Sequence, residues 1–555
     1  MSALETTRES RFVPGSNLKG AVAGANWWFL LPSLEVGRVV CLGAPTPAAL
    51  ATLARMSAEV VVSAPARSLQ RIRGSVETDG RTDVRLVESG RGGAAPLPDA
   101  SADVVVACGR AGRQRGREME RLLKPSGLAY VEGARPFGGL EPGLTLWLAP
   151  ASGEARTAAL LGDGGTIAYL ERRFLRHGLA GRRLLLHPRR FLGRHVLVNR
   201  LARRRGALLG EWGLADGPPR YIRAIAAESG LELERHRWGL SAPGAFPSQK
   251  VLFFLFEDGA EKPEHIVKIT RDPALNSRLE KEWRALTLLQ EERLGASLPR
   301  PAFSGRHAGL AVVGETAIDG VPFRERTRAT PDCPYAQAAA DWLVELGAST
   351  AHPPAGGAPA VAAALEGLLG EFAGIYELEE AHERFLAEQV DTLAQSGNGL
   401  PLVFQHGDPG PWNLLVTPEG KPVFLDWEAA EPEGMPLWDL FHFLRSYGLA
   451  VSRAAGTHDA VRSFAQHYLA DSALSPLFVE ATRRACADTG LAPRLVEPLF
   501  YLCWMHRALK EATRLAPGRL DEGRYVNLLR LAIERREAPA LRRLFSVEGR
   551  GVEPG

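Results

Sequence analysis

The sequence predicts an α/β domain followed by an α+β domain. Residues 38–135 alternate short β-branched runs with helical runs, a pattern typical of a mostly parallel sheet covered by helices. Residues 232–270 contain three strand-like runs followed by a helical run, and the pattern is mostly helical from residue 334 onward. Because 555 residues are too many for one compact core, at least two domains are expected.

The changes of pattern also place the domain boundaries. Gly217, Pro218 and Pro219 interrupt the chain between the two strand-rich regions, which favours a boundary there. We expect an α/β domain at residues 1–170, an arginine-rich connecting segment at 171–216, a strand-rich lobe at 217–330 and a mainly helical lobe at 331–555.

Composition and charge exclude several classes of protein. The net charge of +3 argues neither for nor against a nucleic-acid partner. The five cysteines lie far apart and form no C-x-x-C pair, so zinc ribbons and disulfide frameworks are not expected. The polar N-terminal stretch has no signal-peptide core, and no apolar run reaches about 18 residues. A cytoplasmic location is therefore expected.

The stretch HGDPGPWNLLV, followed by FLDWE, carries the strongest chemical signal in the chain. Its Gly and Pro residues predict a loop between short strands, with Asp408 and Asn413 on the loop and Asp426 on the next strand. Two carboxylates and a carboxamide suit Mg²⁺ bound to a phosphate chain. In phosphoryl transfer a loop Asp accepts the proton of the acceptor hydroxyl, while an Asn and a later Asp hold the metal. The alternative is that these are ordinary turn residues.

The spacing HGDxxxxN followed by LDW resembles the aminoglycoside phosphotransferase and choline kinase family, over roughly residues 220–530. The resemblance implies a bilobal, protein-kinase-like fold. It implies that Asp408 is the catalytic base and that Asn413 and Asp426 are metal ligands. It also implies that His406 supports the loop, and that Asp439 of PLWDLFHFL fixes the loop from a helix.

The same resemblance implies a nucleotide site. Lys268 of IVKIT would hold the phosphates and pair with Glu282 of the following helix. Backbone in the segment LAVVGETAIDG would contact the adenine, at Val313, Gly314, Glu315 and Thr316. The glycine-rich phosphate loop of protein kinases is reduced here to Gly244 in SAPGAFPSQK. No Walker A motif occurs, which disfavours a P-loop enzyme.

Residues 20–150 resemble a class I methyltransferase in the order of their motifs, RVVCLGAPTPAALATLA, PLPDASADVVVACG and REMERLLKPSGLAYVE. S-adenosylmethionine sites of this Rossmann-like kind need several glycines after the first strand and an acidic residue after the second. Here the first turn has only Gly43, and Ser63 stands where the acid is expected. We expect a degenerate methyltransferase-like domain with a structural or recognition role.

Residues 172–205 contain twelve arginines and no acidic residue. They are interpreted as a solvated basic connection, or as a docking segment for an acidic protein or an anionic membrane surface. Nucleic acid is not expected, because no aromatic interleaving or known binding module accompanies the charge.

The function predicted from these patterns is phosphorylation of a hydroxyl on a small molecule, with ATP or GTP and Mg²⁺ as cofactors. The acceptor classes that the family implies are aminoglycosides, sugars, choline-like alcohols and glycoconjugate precursors. Two alternatives stay open. One is a scaffold in which both domains have lost their chemistry. The other is a bifunctional enzyme that also transfers methyl groups from S-adenosylmethionine.

Overall fold

The computed structural model describes residues 25–78, 84–90, 93–108, 116–132, 142–149, 155–175, 204–209, 217–242, 250–292, 294, 297–326, 330–396 and 400–546. The chain divides into two compact units. The first unit comprises Met1–Glu280 and Pro301–Ala317, and the second comprises Lys281–Arg300 and Ile318–Gly555.

The first unit begins with the predicted parallel sheet. Its strands are β1 (Val36–Leu42), β2 (Ser57–Ala64), β3 (Val84–Glu88), β4 (Ala102–Ala107) and β5 (Leu123–Glu132). All four pairings are parallel, in the order β5-β4-β1-β2-β3. The helices are α1 (Pro47–Met56), α2 (Ala66–Thr78) and α3 (Gly116–Leu122), after a 3₁₀ turn at Asn26–Leu30. The valine runs of β1, β2 and β4 are buried, as expected for strands covered on both faces.

Three further strands extend this sheet, and the sequence analysis did not predict them. They are β6 (Pro142–Ala149), β7 (Thr157–Leu160) and β8 (Arg204–Leu209). β8 pairs antiparallel with both β5 and β6, and β7 pairs antiparallel with β6. Helix α4 (Gly164–Leu170) and a π-helical turn (Glu171–Leu175) follow β7. Most of the predicted connecting segment, residues 176–203 and 210–216, lies outside the described residues.

An antiparallel group of strands completes the sheet. After α5 (Arg220–Glu228) come β9 (Arg237–Ser241), β10 (Val251–Phe256) and β11 (His265–Ile269), then a 3₁₀ turn (Pro273–Leu275), α6 (Asn276–Gln290), β12 (Pro301–His307) and β13 (Leu310–Thr316). These strands run in the order β9-β10-β11-β13-β12. β9 also pairs antiparallel with β7, so the described strands of the first unit form one 13-stranded sheet. The three strands and one helix predicted after residue 232 are confirmed.

The second unit is mainly helical, as predicted. Its helices are α7 (Phe323–Arg326), α8 (Pro334–Thr350), α9 (Gly357–Ala373), α10 (Glu380–Ala394), α11 (Trp438–Ala454), α12 (Ala460–Phe464), α13 (Ser475–Thr489), α14 (Val496–Ala512), α15 (Arg524–Glu534) and α16 (Pro539–Phe545). Shorter 3₁₀ or π turns lie at Pro411–Asn413, Trp427–Ala429, Ala465–Leu469, Pro493–Leu495 and Pro517–Glu522.

Two small sheets carry the loops between these helices. Strands β14 (Val321–Pro322), β16 (Leu414–Val416) and β17 (Pro422–Phe424) form one, and β15 (Val403–Gln405) and β18 (Glu431–Gly434) form the other. Both are antiparallel. Because β15, β16 and β17 flank the predicted catalytic loop, these two sheets fix where the loop begins and ends.

Helices α11 and α14 form the centre of the second unit. Each is apolar around most of its surface, which is typical of a fully buried helix. Tyr501 and Trp504 of α14 are completely buried, so they belong to the core and do not line a surface pocket. The same burial carries the polar residues Asp439, His442 and Arg507 of these helices into the interior.

The predicted fold class is confirmed: a Rossmann-like parallel sheet with helices is followed by the antiparallel sheet and helices of a kinase-like region. The predicted domain boundaries stay a prediction. None of the helices in the described part of the chain is both long enough and apolar enough to cross a membrane.

Candidate active site

The loop after β15 turns sharply at Gly407. Its φ is +78°, in the left-handed region that glycine tolerates best. A Cβ at this position would lie 2.0 Å from the carbonyl oxygen of Ala429. The glycine of HGD is therefore required by the backbone, and its turn directs the next residue, Asp408, out of the strand.

The side chain of Asp439 is hydrogen-bonded to the backbone of this turn. It lies in the first turn of α11, and its carboxylate accepts hydrogen bonds from the backbone N–H groups of His406 (2.5 Å) and Gly407 (3.1 Å). Burial raises the pKa of the Asp439 carboxyl, and the charge of Arg507 and these N–H donors act in the opposite direction. The structure thus places Asp439 where the sequence analysis expected a residue that fixes the loop.

His406 is buried and braces the same loop. Its Nδ1 accepts the backbone N–H of Asp408 at 3.2 Å, so Nε2 carries the hydrogen that is donated to the carbonyl of Leu425 at 2.9 Å. Its ring lies 4.5 Å from that of Trp427, centroid to centroid. Both ring nitrogens are used in backbone contacts of the loop, and the supporting role of His406 stays a prediction.

The Asp408 carboxylate lies at the centre of a polar cluster. One oxygen, Oδ1, is 3.4 Å from Nε2 of His442 and 3.7 Å from a guanidinium nitrogen of Arg507. The other, Oδ2, accepts hydrogen bonds from the indole of Trp412 (3.2 Å) and the carboxamide of Asn413 (3.3 Å). The side chain is 37% exposed, so it can still be reached from solvent.

This cluster keeps Asp408 ionised. Burial alone would raise the pKa of the carboxyl, but His442, Arg507 and Trp412 outweigh burial and hold the pKa well below its usual range. His442 itself is buried, and burial together with Arg507 lowers its pKa to about 3. His442 is therefore neutral near pH 7, and the full positive charge beside Asp408 comes from Arg507.

Asn413 contacts Asp408 from the following turn, and Asp426 lies at the end of the next strand, β17. The Asn413 side-chain amide donates to both the backbone carbonyl (3.1 Å) and the carboxylate of Asp408, and its own backbone carbonyl accepts the N–H of Leu425 at 2.8 Å. Asp426 follows β17 with φ +68°, a left-handed conformation that is unusual for a residue with a Cβ. Strained backbone of this kind is concentrated at functional sites.

Glu282 of α6 is completely buried and touches the same strand end. Its carboxylate accepts the backbone N–H of Trp427 at 3.2 Å, one residue after Asp426. The position of Glu282 is thus tied to the predicted metal ligand. Its predicted pairing with Lys268, which belongs to the first unit, stays a prediction.

Lys268 of β11 is buried in the first unit, with its ammonium group 2.7 Å from the carboxylate of Glu315 on β13. β13 lies between β11 and β12, so its backbone pairs on both edges. Among the residues predicted to contact adenine, Val313 and Gly314 are buried within these ladders, whereas Thr316 ends the strand and is partly exposed. Gly244 lies outside the described residues.

The turn after β1 in the first unit also contains a glycine with a left-handed backbone. Gly43 has φ +101°, and a Cβ there would lie 2.4 Å from the carbonyl oxygen of Cys108. Ser63, near the end of β2, is fully buried, and its hydroxyl has no hydrogen-bond partner within the described structure.

Sequence reasoning missed three residues of the cluster: His442, Arg507 and Trp412. Trp412 lies inside the PGPWN turn, and its 60% exposure makes it one of two exposed large hydrophobic side chains in the described residues. His442 follows Asp439 by almost one helical turn, a spacing that could have suggested its direction. No sequence pattern indicates that Arg507 of α14 lies beside this loop.

Comparison with protein families confirms the predicted resemblance of the C-terminal part. Residues 248–485 match the model of the phosphotransferase enzyme family. This range includes Lys268, Glu282, Asp408, Asn413 and Asp426. No curated protein matches the chain.

Solved structures resemble both parts. Aminoglycoside phosphotransferase APH(3'')-Id from Streptomyces rimosus is 17% identical over 53% of this chain and 96% of its own, with a TM-score of 0.31. A SAM-dependent methyltransferase from Aquifex aeolicus is 15% identical over 22% of this chain and 72% of its own, with a TM-score of 0.17. The YcgJ protein from Bacillus subtilis is 21% identical over 18% of this chain, with a TM-score of 0.16, and the match spans only 44% of that protein's length.

Proposed function

We propose that this protein transfers the terminal phosphate of ATP or GTP, with Mg²⁺, to a hydroxyl group of a small molecule. The family match supports phosphotransferase chemistry for residues 248–485. The observation that carries the proposal is the environment of Asp408: an accessible carboxylate, held ionised by His442, Arg507 and Trp412 and fixed by hydrogen bonds from Trp412 and Asn413. A general base needs this combination of access, fixed position and negative charge.

The proposed role of Asp408 is to orient the acceptor hydroxyl and take its proton as the phosphate is transferred. Its low pKa makes it a weak base, which suits a reaction whose transition state depends mainly on positioning and charge stabilisation. Arg507 and His442 keep one carboxylate oxygen in place, while the loop geometry set by Gly407 and Asp439 keeps the other oriented outward.

The residues present fit a magnesium ion. Asn413 uses its amide nitrogen on Asp408, so its amide oxygen is the atom that remains for a cation. The carboxylate of Asp426, at the end of β17, would supply a second oxygen ligand. Bound Mg²⁺ would neutralise charge on the phosphates. Glu282 would steady Asp426 through the N–H of Trp427, and Lys268 would hold the phosphates of the nucleotide.

Trp412 favours a sugar among the possible acceptors. Its indole is 60% exposed and hydrogen-bonded to the Asp408 carboxylate. Aromatic faces stack on the apolar faces of sugar rings, and an indole in this position would bring a ring hydroxyl to the base. The same face would also attract a quaternary ammonium group, so choline-like alcohols are the competing acceptor class.

The test is phosphate transfer from labelled ATP or GTP with Mg²⁺ to sugars, sugar nucleotides, aminoglycosides, choline and ethanolamine. Asp408→Asn should reduce transfer by about 10²–10⁴-fold, the usual contribution of a general base. Asp391→Asn, on the exposed side of α10, is the matched control and should be fully active. Absence of both transfer and Mg²⁺-dependent nucleotide binding in the wild type would favour the scaffold alternative instead.

A further inference from the structure

A cluster of metal-ligand side chains lies in the first unit, at one end of the antiparallel strands. His236 immediately precedes β9, Glu264 immediately precedes β11, and His265 is the first residue of β11. One potential ligand atom from each of the three residues lies within 4.8 Å of the other two. None of the three belongs to the phosphotransfer site described above.

The distances between the potential ligand atoms of the cluster are close to the distances between ligand atoms around a bound metal ion. One Glu264 carboxylate oxygen, Oε2, is 2.9 Å from Nε2 of His236 and 3.3 Å from Nδ1 of His265. Ligands of tetrahedral zinc, at about 2.0–2.2 Å from the metal, lie roughly 3.3 Å from one another.

The buried histidine points into the cluster without a hydrogen bond. His265 is 6% exposed, and its Nδ1, the atom that faces Glu264, has no hydrogen-bond partner within the described structure. An imidazole nitrogen in this position can offer its lone pair to a metal ion.

The backbone around the cluster is held in place. Glu264 donates its N–H to the carbonyl of Leu255 at 2.7 Å and accepts the N–H of Ala317 at its own carbonyl, also at 2.7 Å. Arg237, next to His236, reaches the carbonyl of Glu257 in the turn that joins β10 to β11. The ligands are thus carried on rigid strand ends, while the 44% exposed side chain of Glu264 leaves an access route from solvent.

We propose that His236, Glu264 and His265 bind a divalent transition-metal ion of the zinc class, with water at a fourth position. Two imidazoles and one carboxylate suit Zn²⁺ and related ions better than Mg²⁺, which prefers oxygen ligands. The bound ion would clamp the segment before β9 to the start of β11. Through Glu264 it would also support Ala317, directly after the strand that carries Thr316.

The experiment is a calorimetric titration of the chelator-treated full-length chain with Zn²⁺, and separately with Mg²⁺. The expected result is one Zn²⁺ site that Mg²⁺ does not compete for. Glu264→Gln, an exposed and nearly isosteric change, should weaken binding at this site by at least about 100-fold, because even residues that only support metal ligands are worth about 10–100-fold. Co²⁺ at the same site should give the visible absorption of a four-coordinate ion.

Two controls make the result decisive. His458→Ala removes an exposed histidine of the second unit and should leave the Zn²⁺ stoichiometry unchanged. His236→Gln should lose the same equivalent as Glu264→Gln, and circular dichroism should show that both variants are folded. The proposal is overturned if both variants keep the Zn²⁺ equivalent, or if the wild type binds Zn²⁺ no more tightly than Mg²⁺.

Discussion

The turn after β15 and the turn after β1 are built in the same way but differ in chemistry. Each follows a buried strand and contains a glycine with positive φ, Gly407 or Gly43, whose missing Cβ makes room for a neighbouring carbonyl group. The first turn then presents Asp408 among hydrogen-bond donors. The second is followed by prolines and faces Ser63, whose buried hydroxyl has no partner in the described structure. The two turns thus share a glycine conformation and differ in the polar groups beside it.

The largest expected effect is a loss of phosphate transfer on substitution of Gly407 but not of Gly43. Gly407→Ala should cost about 1–3 kcal/mol of unfolding free energy from its backbone conformation alone. The clash with Ala429 should also displace Asp408 and reduce phosphate transfer by about 100-fold or more. Gly43→Ala should destabilise the protein to a similar degree, because its Cβ would meet the carbonyl of Cys108, while transfer per folded molecule is retained. Chemical denaturation and initial rates measure the two effects.

Gly456→Ala is the matched control for this pair. Gly456 has φ +91°, but a Cβ there would meet no atom within 4 Å. The variant should show the strain of the backbone conformation without a clash and without loss of activity. Equal loss of transfer in Gly407→Ala and Gly43→Ala would contradict the separation of the two turns.

The second prediction concerns the negative charge of Asp408, which the turn containing Gly43 and its neighbour Ser63 lack. Because Arg507 lies 3.7 Å from the Asp408 carboxylate and its charge lowers the pKa of that group, Arg507→Gln should raise the pKa of Asp408. Asp408 acts only when ionised, so the acid limb of the kcat/KM profile should move to higher pH. The stability that the lowered pKa contributes is present above the unfolded value of about 4 and is lost as pH falls below it.

Arg507→Lys provides the control for charge against packing. This variant keeps the positive charge in the same place, so the acid limb of its kcat/KM profile should lie close to that of the wild type. A profile that does not move in Arg507→Gln, measured on folded protein, would show that His442 and the neutral donors alone keep Asp408 ionised.

A smaller effect is expected at the exposed indole beside Asp408. Trp412→Ala should raise the KM for a sugar acceptor by about 3–10-fold, since stacking of an aromatic side chain is worth about 0.5–1.5 kcal/mol. Trp412→Phe should keep most of the acceptor affinity but lower kcat, because it removes the N–H that holds the Asp408 carboxylate. The KM for nucleotide should not change in either variant. An acceptor KM that stays constant in Trp412→Ala would exclude the indole as an acceptor platform.

The smallest expected signal is at the turn after β1, where S-adenosylmethionine should not bind. The turn has one glycine and no acidic residue at the end of β2, so the ribose hydroxyls have no carboxylate partner. Calorimetry at millimolar ligand should show no saturable heat. Saturable binding that is lost in Gly43→Val would establish the bifunctional alternative and remove the contrast between the two turns.

Features that depend on neighbouring residues in the chain could be predicted from the amino-acid sequence. The alternation of valine-rich runs with helical runs predicted the parallel sheet, and the order of Asp408, Asn413 and Asp426 predicted the composition of the catalytic loop. Both are local signals, since hydrophobic periodicity and Gly/Pro turns act over a few residues. The strands β6, β7 and β8 carried no comparable signal, because their place is set by pairing with distant strands.

The surroundings of each of these groups depend on the tertiary fold and could not be predicted from the sequence. His442 and Arg507 reach Asp408 because α11 and α14 are buried together in the core of the second unit. His236 meets Glu264 and His265 because β9 and β11 both pair with β10 in a fixed register. The pKa of Asp408 and the zinc-class site both depend on contacts between residues far apart in the chain. Such contacts are created by packing and register, which local sequence patterns do not encode.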